Sequence, residues 1–225
     1  MRNIYDQEMR EIHRDSITMC NLAAEALQDA LEAVRRRDFT MAKRVQDQDQ
    51  HIRAMRMGIN ERVMRMIATQ HPVAVDLRKL FYLIHMADEM ERVGFEAWAI
   101  CRAMLRTEQG NVLLMEDLYR MGERTCTMFE STLTGTLGEN VEAVLEIIRR
   151  DDEVDVLSEQ IYRECASRQG TDIVVKEHEK EDSDVMTTIH MARYIEHAAD
   201  HIVNWCRWWL YFIPGRDERG GEIIV

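Results

Sequence analysis

Helix breakers are almost missing from this chain. Two prolines and ten glycines are spread over 225 residues, so a helix can be interrupted at only a handful of places. Between those places apolar residues recur every three or four positions, the spacing that lines one side of an α-helix. Composition points the same way. Ala, Leu, Glu, Arg and 16 methionines dominate, which favours helix and leaves little turn chemistry for short strands. With 46% hydrophobic and 31% charged residues there is enough apolar material to close a core and enough polar material to solvate its outside.

The breaks divide the chain into six expected helices. The first spans about residues 6–36, with Cys20, Ala23, Ala24, Leu27, Leu31 and Val34 on its stripe. Asp38 can cap the second, whose stripe holds Ala42, Val45, Ile52, Met55, Ile59 and Val63, and which should stop before Pro72. The third follows Pro72 through Leu80, Ile84, Ala87, Gly94 and Trp98 to near Gly110. A fourth is expected over about 112–134, breaking at Gly135 and Gly138. The fifth covers 140–167, with a break at Gly170, and the sixth covers 184–212, stopping at Pro214-Gly215. Residues 171–181 read as a solvated loop or a frayed helix start.

Landmarks repeat along the chain. Cys20 and Cys126, Asp49 and Asp151, and Glu91 and Glu196 lie 106, 102 and 105 residues apart. Short connections between long helices make neighbours antiparallel, so each repeat reads as a three-helix bundle. The expected fold is all-α, with two pseudo-symmetric bundles over residues 1–109 and 110–225. The glycine breaks and the lack of sustained heptads count against a coiled coil.

Charge and cysteine usage narrow the role. A formal net charge of −12 argues against nucleic acid as a partner. The amino terminus is charged where a signal peptide needs an apolar run, and no membrane-spanning stretch occurs, so a cytoplasmic protein is expected. Cys20, Cys101, Cys126, Cys165 and Cys206 are odd in number, widely spaced and placed in helical patterns, which fits reduced core thiols.

The most informative residues are acids on apolar stripes. Asp49 lies between Val45 and Ile52, and Asp151 between Ile147 and Val154. Glu91 lies between Ala87 and Gly94, while Glu196, Asp200 and Asn204 follow one another at intervals of four. Inward carboxylates cost several kcal/mol each unless compensated. A cation can compensate them, as can arginines, of which Arg92, Arg149, Arg150 and Arg193 are near in sequence. All-oxygen ligands favour Mg, Mn, Ca or an iron ion over zinc.

Other features have blander readings. His197 and His201 flank the acid face by one residue and read as partly exposed side chains. Met55, Met57, Met64 and Met66 read as core filler. Trp205, Trp208, Trp209 and Tyr211 cover more than one side of the last helix, so part of that surface is expected to meet another subunit or protein. No repeated Glu-x-x-His, G-x-S-x-G, Walker A loop, glycine-rich dinucleotide loop or H-E-x-x-H occurs, and nothing supports an enzyme.

Two segments carry a resemblance to a known family. Gln70-His71-Pro72-Val73-Ala74-Val75-Asp76-Leu77-Arg78, followed by Asp88-Glu89-Met90-Glu91-Arg92-Val93-Gly94, resembles the third-helix signature of PhoU proteins. The segment from Ala192 to Trp205, which contains Glu196-His197-Ala198-Ala199-Asp200, is similar to the sixth-helix signature, as is the following Tyr211-Phe212-Ile213-Pro214-Gly215. With Asp49-x-x-Ile52 and Asp151-x-x-Val154 the resemblance covers nearly the whole chain in order.

The resemblance implies two three-helix bundles whose E-x-x-x-D motifs hold divalent or iron cations, with Mg, Mn, Fe or Zn all in range. It assigns Glu196, Asp200, Asp151, Asp155 and Asn204 to a metal site in the second repeat. In the first repeat Asp49 and Glu91 remain, but Phe95 stands in place of the motif's aspartate, Ala99 in place of the amide and Arg53 in place of the acid matching Asp155. Most metal affinity should be lost there. Asp88, Glu89 and Glu96 are the nearby acids that could partly rescue that site, and His197 replaces the family's usual arginine. The implied role is negative regulation of phosphate transport and starvation signalling, through contact with a phosphate ABC transporter ATPase subunit and a sensor histidine kinase. A homodimer, peripheral to the membrane only through its partners, is the implied assembly. A carboxylate-bridged metal enzyme and a metal-free acidic scaffold are the alternatives.

Overall fold

A computed structural model describes residues 2–106, 116–169 and 184–212. They form six α-helices: α1 (Arg2–Arg36), α2 (Phe39–Gln70), α3 (Ala74–Arg106), α4 (Glu116–Leu137), α5 (Val141–Gln169) and α6 (Asp184–Phe212). The expected breaks at Gly110, Gly170 and Pro214, the expected loop at 171–181 and the expected domain boundary at 109/110 lie outside the described residues.

The connections α1–α2 and α4–α5 are the same device used twice. Arg37 adopts a left-handed φ of 56° and Glu139 one of 51°. Around Arg37, Asp38 N donates to Ala33 O and Arg37 N to Val34 O. Around Glu139, Asn140 N donates to Gly135 O and Glu139 N to Thr136 O. These paired bonds satisfy the last carbonyls of each helix. The next residue then caps the following helix: Asp38 Oδ1 accepts from Thr40 N and Met41 N at 2.9 Å, and Asn140 Oδ1 from Ala143 N at 3.0 Å.

One expectation about this turn needs correction. The fourth helix does not break at Gly135 but runs through it to Leu137. Gly135 is buried, and a Cβ there would sit 3.3 Å from Val144 Cγ2, so its missing side chain lets α4 and α5 approach rather than ending a helix. α2 stops at Gln70, with His71 left-handed at φ 47° ahead of Pro72.

α1, α2 and α3 pack together, as do α4, α5 and α6, and the two trios meet through α3 against α6 and α1 against α4. One hydrophobic core runs through all six helices, from Ile12, Leu27 and Ile52 to Phe129, Ile161 and Trp205. Gly122 allows α4 close to α1, since a Cβ would lie 2.8 Å from Leu31 Cδ2. Among the methionines, Met66 is buried and Met55 packs against the core, but Met57 and Met64 are exposed and are not filler. On α6, Trp205 and Trp209 are buried, Trp208 stacks on His85 at 3.8 Å, and Tyr211 is exposed.

Candidate functional site

Equivalent faces of the two repeats carry the candidate acids, and they are built differently. In the second repeat Asp151 and Asp155 on α5 face Glu196 and Asp200 on α6. Asp151 is half-buried, and its carboxyl is pushed up to about 6, first by burial and then by the negative charges of Asp155 and Asp200, with Arg207 acting weakly against them. Asp155 is also raised, by burial first and then by Glu196 and Asp200. Among the described residues none of these four acids makes an ion pair with Lys or Arg. Ser158 Oγ donates to Glu196 Oε2 at 2.6 Å, and Asn204 Oδ1 accepts from Arg207 at 3.3 Å.

The inward placement expected for these acids is only partly right. Asp155 and Asp200 are exposed, and Asp151, Glu196 and Asn204 are half-buried. They lie along the edge of the apolar stripe because Val154, Ile195 and Ala199 fill its centre. Among the described residues no three His, Cys, Asp or Glu side chains converge closely enough to hold a metal ion as they stand.

In the first repeat Asp49 is fully inward, at 6% exposure, and it is paired. Arg53 Nε donates to Asp49 Oδ2 at 2.8 Å. Arg56 lies 2.6 Å from Glu91 and 3.4 Å from Asp88, and Asn60 Nδ2 adds a bond to Asp88. The arginines expected as partners are not the ones used: Arg149 and Arg150 pair with Glu146. Phe95 replaces a carboxylate with a ring that lies under Arg53 at 5.9 Å and stacks on Trp98 at 5.5 Å. Asp49 is thus paired with Arg53, and Glu91 and Asp88 with Arg56, which leaves Asp49 Oδ1 as a buried oxygen without a hydrogen-bond partner; two guanidiniums among these acids do not fit a metal ion.

Two acids that the sequence offers only as possible compensators for the first motif are buried, and their histidine partners are not legible in it. Glu89 and Glu96 lie on α3 where it meets α6, and they pair with His201 and His197, which are partly exposed as expected: His201 Nδ1 lies 2.9 Å from Glu89 Oε2, and His197 Nδ1 lies 3.7 Å from Glu96 Oε1. Burial raises Glu96 while His197, His201 and Arg193 favour its charged form. The spacing Glu89–Val93–Glu96–Ile100 was the available signal, because it puts both acids on a buried row of α3. Beside them Trp205 Nε1 donates to Tyr82 Oη at 2.8 Å.

The cysteines offer no chemistry. None of these five described residues forms a disulfide, and burial pushes the thiols of Cys20, Cys101, Cys126 and Cys206 up to about 12. A cleft of about 690 Å³ between α1 and α4, lined by Leu31, Glu32, Tyr119 and Glu123 among others, includes none of the candidate acids.

Comparison with known proteins supplies the identity that geometry alone leaves open. The model of the PhoU domain matches residues 17–104 and again residues 118–209, one copy on each helix trio. The chain belongs to the PhoU family. Its similarity extends over whole relatives. Phosphate-specific transport system accessory protein PhoU of Serratia marcescens is 31% identical over 228 residues, covering 98% of this chain and 89% of the relative. The PhoU homolog of Clostridium acetobutylicum is 27% identical over 217 residues, 96% of both chains. Among solved structures, PhoU from Streptococcus pneumoniae superimposes with a TM-score of 0.83 at 22% identity over 98% of this chain and 100% of that one. PhoU from Pseudomonas aeruginosa gives 0.84 at 23% over 92% and 98%. This PhoU-family chain thus shares the all-α fold of those two structures, and among its described residues no helix is long and apolar enough to cross a membrane.

Proposed function

We propose that this chain is a negative regulator of phosphate uptake and phosphate-starvation signalling that works by docking to other proteins and holds a cation on its second repeat. The whole-length relatives are phosphate-specific transport system accessory proteins, which supports a reading in which this chain's partners are transporter components. The reading takes the transporter's ATPase subunit and a sensor histidine kinase as those partners, a homodimer as the working assembly and the cytoplasm as the compartment. No step of it requires catalysis.

The observation behind the cation is the unpaired state of Asp151, Asp155, Glu196 and Asp200. Four carboxylates on facing helix surfaces, two of them with raised protonation, leave a negative field that Arg207 only partly offsets and that no Lys or Arg among the described residues meets at ion-pair distance. Their all-oxygen character matches a hard divalent or iron ion, with Mg, Mn and Fe ahead of Zn. Such an ion would draw the two helices together at this edge and set the shape of the docking surface. Metal-stripped protein titrated with Mn²⁺ tests it: binding is expected in the wild type and lost in Glu196→Ala with Asp200→Ala. A wild type that takes up no Mn²⁺, Mg²⁺ or Fe²⁺ overturns the cation, and failure of purified ATPase subunit and kinase to be retained by the immobilised protein overturns the docking role.

A further inference from the structure

The internal repeat allows the two acid faces to be compared position by position. Asp49 corresponds to Asp151, Glu91 to Glu196, Arg53 to Asp155, Phe95 to Asp200 and Ala99 to Asn204. The offset of 102 that relates Asp49 to Asp151 also relates Arg56 to Ser158. The structure gives those last two residues the same task, since each reaches across to the glutamate of its own repeat, Arg56 to Glu91 at 2.6 Å and Ser158 to Glu196 at 2.6 Å. A neutral hydroxyl leaves the charge of Glu196 in place. A guanidinium cancels that of Glu91.

We infer that the first repeat carries its counterion in the chain: Arg53 and Arg56 take the place of a bound cation between Asp49, Asp88 and Glu91, so this face is independent of metal. The inference does not depend on the second face holding an ion. Three acids meet two guanidiniums here, whereas among the described residues the four acids of the second repeat meet none at ion-pair distance. An incoming divalent ion would have to break both pairs and then share the space with two fixed positive charges. Arg53 is also held from its other side, because it lies over Phe95, which stacks on Trp98, which in turn lies under Arg102 at 5.0 Å. This ladder of guanidinium, ring, ring and guanidinium fixes the orientation of Arg53 without a cation. Arg53, Phe95 and Arg56 act as one replacement.

Mn²⁺ titration of metal-stripped protein in the Glu196→Ala, Asp200→Ala background isolates the first face. No residual binding is expected. Residual Mn²⁺ that disappears on adding Asp49→Asn or Glu91→Ala overturns the inference, whereas a wild type binding no Mn²⁺ at all contradicts only the second-repeat reading and agrees with this one. A second variant tests the cause. Arg53→Asp with Phe95→Asp and Arg56→Ser copies the second repeat's residues onto the first, and it is expected to take up one additional Mn²⁺ per chain. If that variant folds, as judged by circular dichroism, and gains none, the guanidiniums are not what excludes the ion and the inference fails. If it does not fold, the Glu196→Ala, Asp200→Ala background decides alone.

Discussion

At the scale of single residues the second acid face has a measurable signature in its protons. Asp151 titrates near 6 in the folded chain against an ordinary 3.8. Between those values the folded protein keeps a proton that the unfolded chain has released, so the group favours folding at low pH and that contribution is lost as the pH rises through 6. In metal-stripped protein Asp151→Asn is therefore expected to raise the melting temperature at pH 7.5, with the gain shrinking toward pH 4.5. Calorimetry at both pH values checks this, and an equal shift at both would contradict it. The inward position of Asp49 was legible in the sequence, because Val45 and Ile52 bracket it on one helix row. Its partner was less so. Arg53 could be seen to replace an acid, but that Arg56 reaches Glu91 depends on how α2 and α3 are set against each other, which no spacing within one helix specifies.

At the scale of helices, the capping turns can be compared because the repeat supplies a control. Asp38 and Asn140 occupy equivalent positions, and each replaces missing backbone partners at a helix start. Asp38→Ala and Asn140→Ala should each cost about 1 kcal/mol, read from urea midpoints with unchanged slopes. A much larger loss at one site would mean that its side chain does more than cap. Asp38 was recognisable as a cap from the sequence, while the fourth helix was cut short there because a buried packing glycine and a terminating glycine look alike without knowledge of Val144. The α3–α6 contact gives a second test. His201→Ala leaves Glu89 buried without its partner and should cost about 1–3 kcal/mol, whereas adding Glu89→Gln removes the stranded charge and should recover part of it. A thermodynamic cycle over the four proteins measures the coupling, and strict additivity would show that the two side chains do not act together.

At the scale of the whole molecule, the repeat was legible but the union of its halves was not. Landmark offsets reveal two trios of helices and say nothing about which helix of each trio faces the other. That choice is made by residues whose partners are over a hundred positions away. Tyr82 accepts from Trp205, His85 stacks on Trp208, and Glu89 meets His201. The buried core passes through this contact without a break, so neither trio can unfold without exposing α3 or α6 side chains of the other. Each large apolar side chain so exposed forfeits about 1.5–3 kcal/mol, which makes a half-folded chain costly. The chain is therefore expected to unfold in a single transition, despite containing two copies of one family domain. Tyr82→Phe is the probe. It strands the buried Trp205 N–H at a cost of about 1–3 kcal/mol, and the shift should appear equally in far-UV circular dichroism, which reports all six helices, and in tryptophan fluorescence. Three of the four tryptophans lie on α6 and the fourth, Trp98, on α3, so fluorescence reports the seam. Coincident curves before and after the substitution indicate one cooperative unit. A circular dichroism curve that splits into two steps, only one of which moves with Tyr82→Phe, would show instead that the trios are autonomous and that the seam is a weak contact between them.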